Sequence, residues 1–292
     1  MKAVLTGSGG FVGSALKPML LGMGYDVLTP GREILYGPPE KLVPLMENAK
    51  VIVHLAGAPI AARWTRRYMN EIYQSRIITT TNIARAASLA DAKPELFISS
   101  SAVGIYPDHG LHNEYTGEAA DGFLAKICLD WEKASGEVPG GVRVVNLRFG
   151  LILGSEGGAL PKMVMPFRFF AGTRFGSGKQ WVSWVHLQDV LEIVRFTIQN
   201  PELNGPVNVV SPNPLHHDEF IRTISGVTGR PARLQVPEFA LKWLLREGAA
   251  VLTRGQAAVP QKLTDAQYRF LYPDLFAALT HLLKSPNPAK VV

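Results

Sequence analysis

Apolar and polar positions alternate along this chain in two rhythms that take turns. Short apolar runs begin near residues 2, 26, 51, 96 and 142, each closed by glycine, proline or a small polar residue, and they predict strands at 2–6, 26–29, 51–55, 96–101 and 142–148. Between them, apolar residues recur at helical spacing, which predicts helices at 11–22, 40–46, 62–90 and 122–136. Strands alternating with helices of this length give a parallel sheet covered on both faces, a doubly wound α/β fold. The alternation degrades after the strand at 142–148, where Gly150, Gly154, Gly157 and Gly158 crowd together. Beyond them we expect an aromatic stretch over 163–175, a helix at 187–199, a strand at 205–210, and helices at 217–228, 238–250 and 274–284. The expected division is one region over 1–154, with 181–212 folding back onto it, and a smaller α+β region made of 155–180 and 213–292 toward the C-terminus.

The first strand passes directly into Thr6-Gly-Ser-Gly-Gly-Phe-Val-Gly13 and from there into a helix. Gly7 permits the tight turn, Gly10 lets backbone approach an anion, and Gly13 lets helix and strand pack closely. The amides that open the helix, at Phe11 and Val12, and the positive end of the helix dipole then face a pyrophosphate. A glycine turn between a first strand and a first helix is the signature of a Rossmann-type dinucleotide site, so region 1–154 reads as the dinucleotide-binding domain and the remainder as a substrate-binding region. After the second strand, where a carboxylate would bond the ribose 2′-hydroxyl of NAD, the chain reads Leu28-Thr-Pro-Gly-Arg32. No acid stands there, Asp26 lies at the strand's start, and Arg32 can meet a 2′-phosphate. NADP, as NADPH, is the cofactor expected.

Composition narrows the setting. Hydrophobic residues make up 47% and charged residues 18%, which supports a sizeable core and argues against disorder. One cysteine, Cys128, excludes an internal disulfide framework and a cysteine-clustered metal site. His216-His217-Asp218 lacks a third ligand, so no metal is expected; Asp218 or its neighbour reads as a helix N-cap. No apolar run reaches the ~20 residues of a membrane span and no signal-peptide core is present, so a cytoplasmic chain with no membrane partner is expected. The net charge of +6 and pI near 9.4 invite a nucleic-acid reading, but the basic residues are scattered among turns and aromatics, and an anionic small ligand accounts for them as well.

Several further segments carry a resemblance. Val51-Ile-Val-His-Leu-Ala-Gly57, Phe97-Ile-Ser-Ser-Ser-Ala-Val103 and Gly176-Ser-Gly-Lys-Gln-Trp-Val-Ser-Trp-Val-His186 with Asp189 resemble the extended short-chain dehydrogenase/reductase superfamily. Arg63-Trp64, Ser75-Arg76, Phe123-Leu-Ala, Cys128, Asp130-Trp-Glu132, Gly157-Gly-Ala-Leu, Val259-Pro-Gln-Lys-Leu and Tyr272-Pro narrow it to the atypical nucleotide-sugar epimerase-like branch. The resemblance implies that Leu55, Ala56 and Gly57 lie against adenosine and pyrophosphate, and that Glu71 and Arg76 face the cofactor. It further implies that Ser99 sits beside the nicotinamide, that Ser101 is the catalytic serine, and that Ile152 contacts the nicotinamide end. A small-molecule substrate, with nucleotide sugars among the candidates, and a homodimer through the 62–90 and 122–136 helices are implied as well.

The superfamily's Tyr-x-x-x-Lys pair is missing: anchored on Trp131-Glu132, the chain has Leu124 and Cys128 at those two places. Lys126 does not substitute, since two residues along a helix turn a side chain about 200°. Tyr106, in the loop after the serine strand, is the candidate to take over as catalytic proton donor, with a tyrosine that merely packs, its polar tip toward water, as the competing reading. An unaided phenol, with a pKa of ~10, serves better as a general acid than as a base. Arg148, Arg168, Arg174 and Lys179 are candidates for pairing a diphosphate, and Trp181, Trp184 and Phe175 for stacking a base, with core packing the competing reading. Three functions stay open at this point: an NADP-dependent oxidoreductase or epimerase acting on a small carbonyl or alcohol, a non-catalytic NADP-binding redox sensor, and a nucleic-acid binder.

Overall fold

The computed structural model describes residues 1–284; the tail of the expected substrate region, 285–292, lies outside the described residues. Six strands form one parallel sheet: β1 (Lys2–Thr6), β2 (Asp26–Leu28), β3 (Ala49–His54), β4 (Leu96–Ala102), β5 (Arg143–Phe149) and β6 (Gly205–Val209), in the order β6-β5-β4-β3-β1-β2. Every pairing in it is parallel. The register explains why the strands read as continuous apolar runs. Val4 pairs with Ile52 and Ile52 with Phe97, and all three enter one core. One residue on, Leu5, Val53, Ile98 and Val145 line up across the sheet and enter the opposite core. The period-2 alternation of a strand thus sorts neighbours to two faces, both buried.

Helices α1 (Phe11–Gly22) and α4 (Leu187–Gln199) cover the second of these cores with Leu16, Leu20, Val190, Ile193 and Val194. The long helix α2 (Arg66–Leu89) covers the other with Ile83 and Ala86, and α3 (Phe123–Ser135) packs beside α2. Strand order reverses between β1 and β3, so a crevice opens at their carboxyl ends, the place where ligands bind in open α/β sheets. A separate core forms around α5 (His217–Thr228) and α6 (Leu275–Lys284), with Leu160, Phe167 and Trp184. Residues 151–153 pair with 184–186, and here alternation divides the two cores: Ile152 faces the sheet, Leu153 the C-terminal cluster.

Three expected elements differ. The helix expected at 40–46 is instead a 3-10 turn at Pro39–Lys41 followed by a short helix at Val43–Met46, since Pro39 and Pro44 remove amides a continuous helix needs, and an unexpected helix precedes them at Arg32–Tyr36. The helix at 238–250 stops at Leu245 because Arg246 adopts φ 56°, and resumes at Ala250–Thr253. The break lets Gly248 press onto the Ala62 carbonyl, where a Cβ would stand 2.5 Å away. The N-cap of α5 is His216, not Asp218, and its side chain makes no capping bond; its Nδ1 instead faces the Lys179 carbonyl.

Candidate coenzyme cleft and active site

The glycine turn is built as its spacing demands. Gly7 has φ 71°, and a Cβ there would stand 2.8 Å from the Leu55 carbonyl carbon. A Cβ on Gly13 would stand 2.1 Å from the Gly7 oxygen, so only glycine lets α1 approach β1 this closely. Gly10 caps α1 without a side-chain bond and donates its own amide to Gly7, leaving the opening amides of the helix for an anion. The Phe11 ring packs against the 154–158 loop: Cβ atoms at Gly154, Gly157 or Gly158 would all stand within 3 Å of it.

Below the turn, Thr6 ties β1 to the end of β3. Its hydroxyl lies 2.6 Å from His54 Nδ1 and accepts the amides of Leu55 and Ala56, while His54 Nε2 faces the Thr79 hydroxyl of α2 at 3.3 Å. Complete burial, with Arg76 nearby, pushes the His54 imidazole down to about 3, so it is a neutral hydrogen-bond post. The loop that follows is fastened to α2: Ala58 donates to Ser75 Oγ, and Arg76 donates to the carbonyls of Ile72 and Ala58. Arg76 also lies over the Trp131 ring at 5.1 Å. Burial lowers its pKa, and among the described residues it has no carboxylate partner. A half-buried guanidinium whose hydrogen bonds go to two neutral carbonyls is electrostatically incomplete, and an anion in the cleft would complete it.

The cleft encloses about 380 Å³, and its walls include Gly7, Gly10, Phe11, Val12, Gly13, Leu55, Gly57, Arg76, Ser100 and Ser101. The third wall is the α3 face carrying Leu124, Ile127, Cys128 and Trp131, which recur at 3–4 residue spacing. The donors of a dinucleotide site are therefore present, and they fit that group. Not every expected contact residue reaches the cleft. Ala56 packs toward the α2 core. Ser99 is fully enclosed, its hydroxyl near the Ser100 carbonyl. Ile152 pairs with Val185 and packs on the sheet core. Arg32 and Glu71 lie outside as a solvent-exposed pair 3.5 Å apart, with Arg32 also over the Tyr36 ring at 5.3 Å.

Ser101 and Tyr106 belong to one buried chain of hydrogen bonds. Ser101 Oγ donates to Glu132 Oε1 at 2.6 Å; Arg148 grips Glu132 with Nε and Nη2, both at 2.7 Å. Arg148 Nη1 donates to the Tyr106 hydroxyl at 2.7 Å, and that hydroxyl donates to Asn208 Oδ1 at 2.9 Å. The Asn208 backbone amide donates to Glu114, whose other oxygen accepts the backbone amides of Gln261 and Lys262. Tyr106 is 1% exposed and stacked on His112, and burial, opposed by Arg148, raises its pKa. Its proton is directed to Asn208 and its oxygen receives Arg148, so the hydroxyl is engaged away from the coenzyme cleft, while the residue lines the neighbouring 620 Å³ cavity. Arg148 is likewise spent on Glu132 instead of a diphosphate. The sequence reasoning missed Glu132 as the partner of both, and the Glu-Arg separation of 16 residues left no local signal.

Several other residues have structural roles. Trp184 is fully buried core, and Arg174 lies 3.5 Å from Asp218. His186 caps α4 by accepting the Gln188 amide and faces His281. Asp189 accepts the amides of Leu271 and Tyr272, clamping the C-terminal segment. Among the described residues no group of three His, Cys, Asp or Glu is placed to hold a metal ion. A second cavity of about 620 Å³ adjoins the cleft at Leu124, bounded by the loop at 104–109, by residues 118–125 and by the Glu238–Leu245 helix with the turns after it.

Comparison with known proteins agrees with this geometry. A profile described as "NAD dependent epimerase/dehydratase family" matches residues 3–210, and one for a domain of unknown function, DUF1731, matches residues 236–282. The "Epimerase family protein YfhF" of Bacillus subtilis (strain 168) is 36% identical over 302 residues, covering 97% of this chain and 98% of that one. The crystal structure of the human epimerase family protein SDR39U1 (isoform 2) with NADPH superposes at a TM-score of 0.91 and 28% identity, over 98% of this chain and 100% of that one. A UDP-glucuronic acid 4-epimerase from Bacillus cereus, crystallised with UDP-glucuronic acid and NAD, superposes at 0.78 over 97% of this chain and 98% of that one, at 17% identity, a likeness of fold. With the glycine turn, the switch-point cleft and a matching profile over residues 3–210, the chain belongs to the NAD dependent epimerase/dehydratase family.

Proposed function

We propose that this protein binds NADP(H) in the 380 Å³ cleft and acts as an oxidoreductase or epimerase on a small carbonyl or alcohol held in the adjoining 620 Å³ cavity. The observation that carries this reading is that Leu124 lines both spaces, so that a coenzyme in one and a substrate in the other would be neighbours. In this reading residues 1–154 with 181–212 serve the coenzyme, and 155–180 with 213–284 frame the substrate. NADPH supplies a hydride when bound. The chain's own contribution is positional: the opening amides of α1 and the Arg76 guanidinium hold phosphates, and Ser101 orients substrate. Because Ser101 gives its proton to Glu132, it presents lone pairs to the cleft and accepts from a substrate hydroxyl. Arg32, exposed and paired only at 3.5 Å, swings from Glu71 to a 2′-phosphate, and the NADPH bound by the human relative supports that choice of coenzyme.

A second reading has its own observation. The α3 face that would carry the proton-relaying pair is Leu124 and Cys128, and burial pushes the Cys128 thiol up to about 12. Such a face binds coenzyme without moving a proton, as a redox sensor would. Melting scans with NADPH, NADH and ATP test the shared premise, since a ligand at 100 times its dissociation constant stabilises by about 2.7 kcal/mol. Stabilisation by NADPH that exceeds that by NADH, lost in Arg32→Ala, is the expected result; no shift with either dinucleotide removes both readings. Loss of NADPH absorbance in the presence of carbonyl compounds or nucleotide sugars, with a separate assay for stereochemical inversion, then separates enzyme from sensor.

A further inference from the structure

The positive charge of this molecule is not spread over it. Residues 160–184 and 229–254 hold nine Lys and Arg against two Glu, a surplus of seven, whereas the whole chain has 30 against 24. The rest of the protein is therefore close to neutral. The two segments adjoin: 173–175 pairs with 234–236, and Arg230 donates to the Phe167 carbonyl while lying over the Phe170 ring. The same two segments expose large apolar side chains to water. Trp243 is 82% exposed, Phe239 and Phe169 75% each, with Phe170, Leu234 and Leu244 more than half exposed. Phe239 and Trp243 stand four residues apart on one face of the Glu238–Leu245 helix, while Glu238 and Lys242 on the neighbouring face pair at 2.8 Å and line the 620 Å³ cavity.

We infer that this face docks on an anionic lipid bilayer, with Phe169, Phe170, Leu234, Phe239, Trp243 and Leu244 entering the headgroup layer and the surrounding Lys and Arg meeting its negative charge. Exposed aromatic and aliphatic side chains ringed by cations match the interfacial region of a membrane, where apolar burial and electrostatic attraction add. A second copy of the chain is the poorer occupant, because a two-fold contact would press this surplus of positive charge against itself. No spanning segment is needed, and among the described residues no helix is long and apolar enough to cross a membrane. The inference departs from the expectation of no membrane partner, and it places the mouth of the cavity at headgroup level whatever reaction occurs inside.

The experiment is flotation of the full chain with vesicles of phosphatidylcholine and with vesicles containing about 30% phosphatidylglycerol, a charge density in the range of anionic leaflets. We expect flotation with the anionic vesicles only, reversed by salt. The emission of Trp243 should shift to the blue, since Trp64, Trp131 and Trp184 are buried and Trp181 is partly covered. Phe239→Ser with Trp243→Ser should cut partition at least about tenfold, and Arg233→Glu with Arg246→Glu should abolish the preference for anionic lipid. Trp243→Phe should keep binding but lose the shift. Unchanged melting and unchanged NADPH binding in these variants keep the test separate from the coenzyme reading. The inference is overturned if anionic vesicles do not carry the wild-type chain, or if the double serine variant floats equally well. It is also overturned if the same residues instead hold a dimer or bind duplex DNA while vesicles are ignored.

Discussion

Tyr106 shows how one hydroxyl can be consumed by its surroundings. Its single proton goes to Asn208 and its oxygen receives Arg148, so removing it leaves a buried guanidinium and amide each short of a partner. Tyr106→Phe is therefore expected to lower stability by about 1–3 kcal/mol in a urea titration, the cost of unsatisfied buried groups, while leaving NADPH affinity unchanged. Gly13 is constrained in the opposite sense, by what it lacks. Gly13→Ala places a methyl 2.1 Å from the Gly7 oxygen, which must move the turn. We expect calorimetric titration to show no NADPH binding and a stability loss at or above the upper end of the ~1–3 kcal/mol typical of overpacking. Both glycine tasks were legible in the sequence, because a glycine's role follows from backbone sterics within a few residues. The fate of Tyr106 was not, because its partners lie 42 and 102 residues away.

At the scale of elements, α3 decides what chemistry the cleft can do. Leu124, Cys128 and Trp131 share one face by helical spacing, so the missing Tyr-x-x-x-Lys pair was readable from residue numbers alone. The structure adds that the Cys128 thiol is buried within this cleft wall: burial, with the Glu132 carboxylate nearby, pushes it up to about 12 and suppresses thiolate. Ellman's reagent at pH 8 is expected to react slowly with Cys128 in the folded protein and fully only after unfolding; prompt reaction in the native state would contradict the suppressed thiolate. The helix expected over 238–250 failed for a reason propensity does not contain. Arg246 takes a left-handed φ so that Gly248 can seat against Ala62 and Trp64, a contact between segments nearly 190 residues apart.

For the molecule as a whole, the buried histidines set how stability responds to acid. The folded state holds His54 near 3 and His186 near 4, whereas the unfolded chain takes up protons at the ordinary value near 6.5. The unfolded state thus binds more protons between these limits, so stability is complete above about pH 6.5 and erodes as pH falls below it, by up to ~1.4 kcal/mol per pH unit per histidine. Urea midpoints at pH 7 and 5 should differ less in His54→Asn than in wild type. The doubly wound sheet, the glycine turn, the missing catalytic pair and most helix bounds were fixed by the chain's own order of residues, because period, turn sterics and helical spacing act within about a dozen positions. Tertiary structure alone decided that Glu132 holds Ser101 and Arg148, that Ser99 and Ile152 turn from the cleft, and that the distant basic segments 160–184 and 229–254 come into contact. Each of those outcomes depends on which strands lie side by side and which residues pair across them, and proximity of that kind is created by the fold.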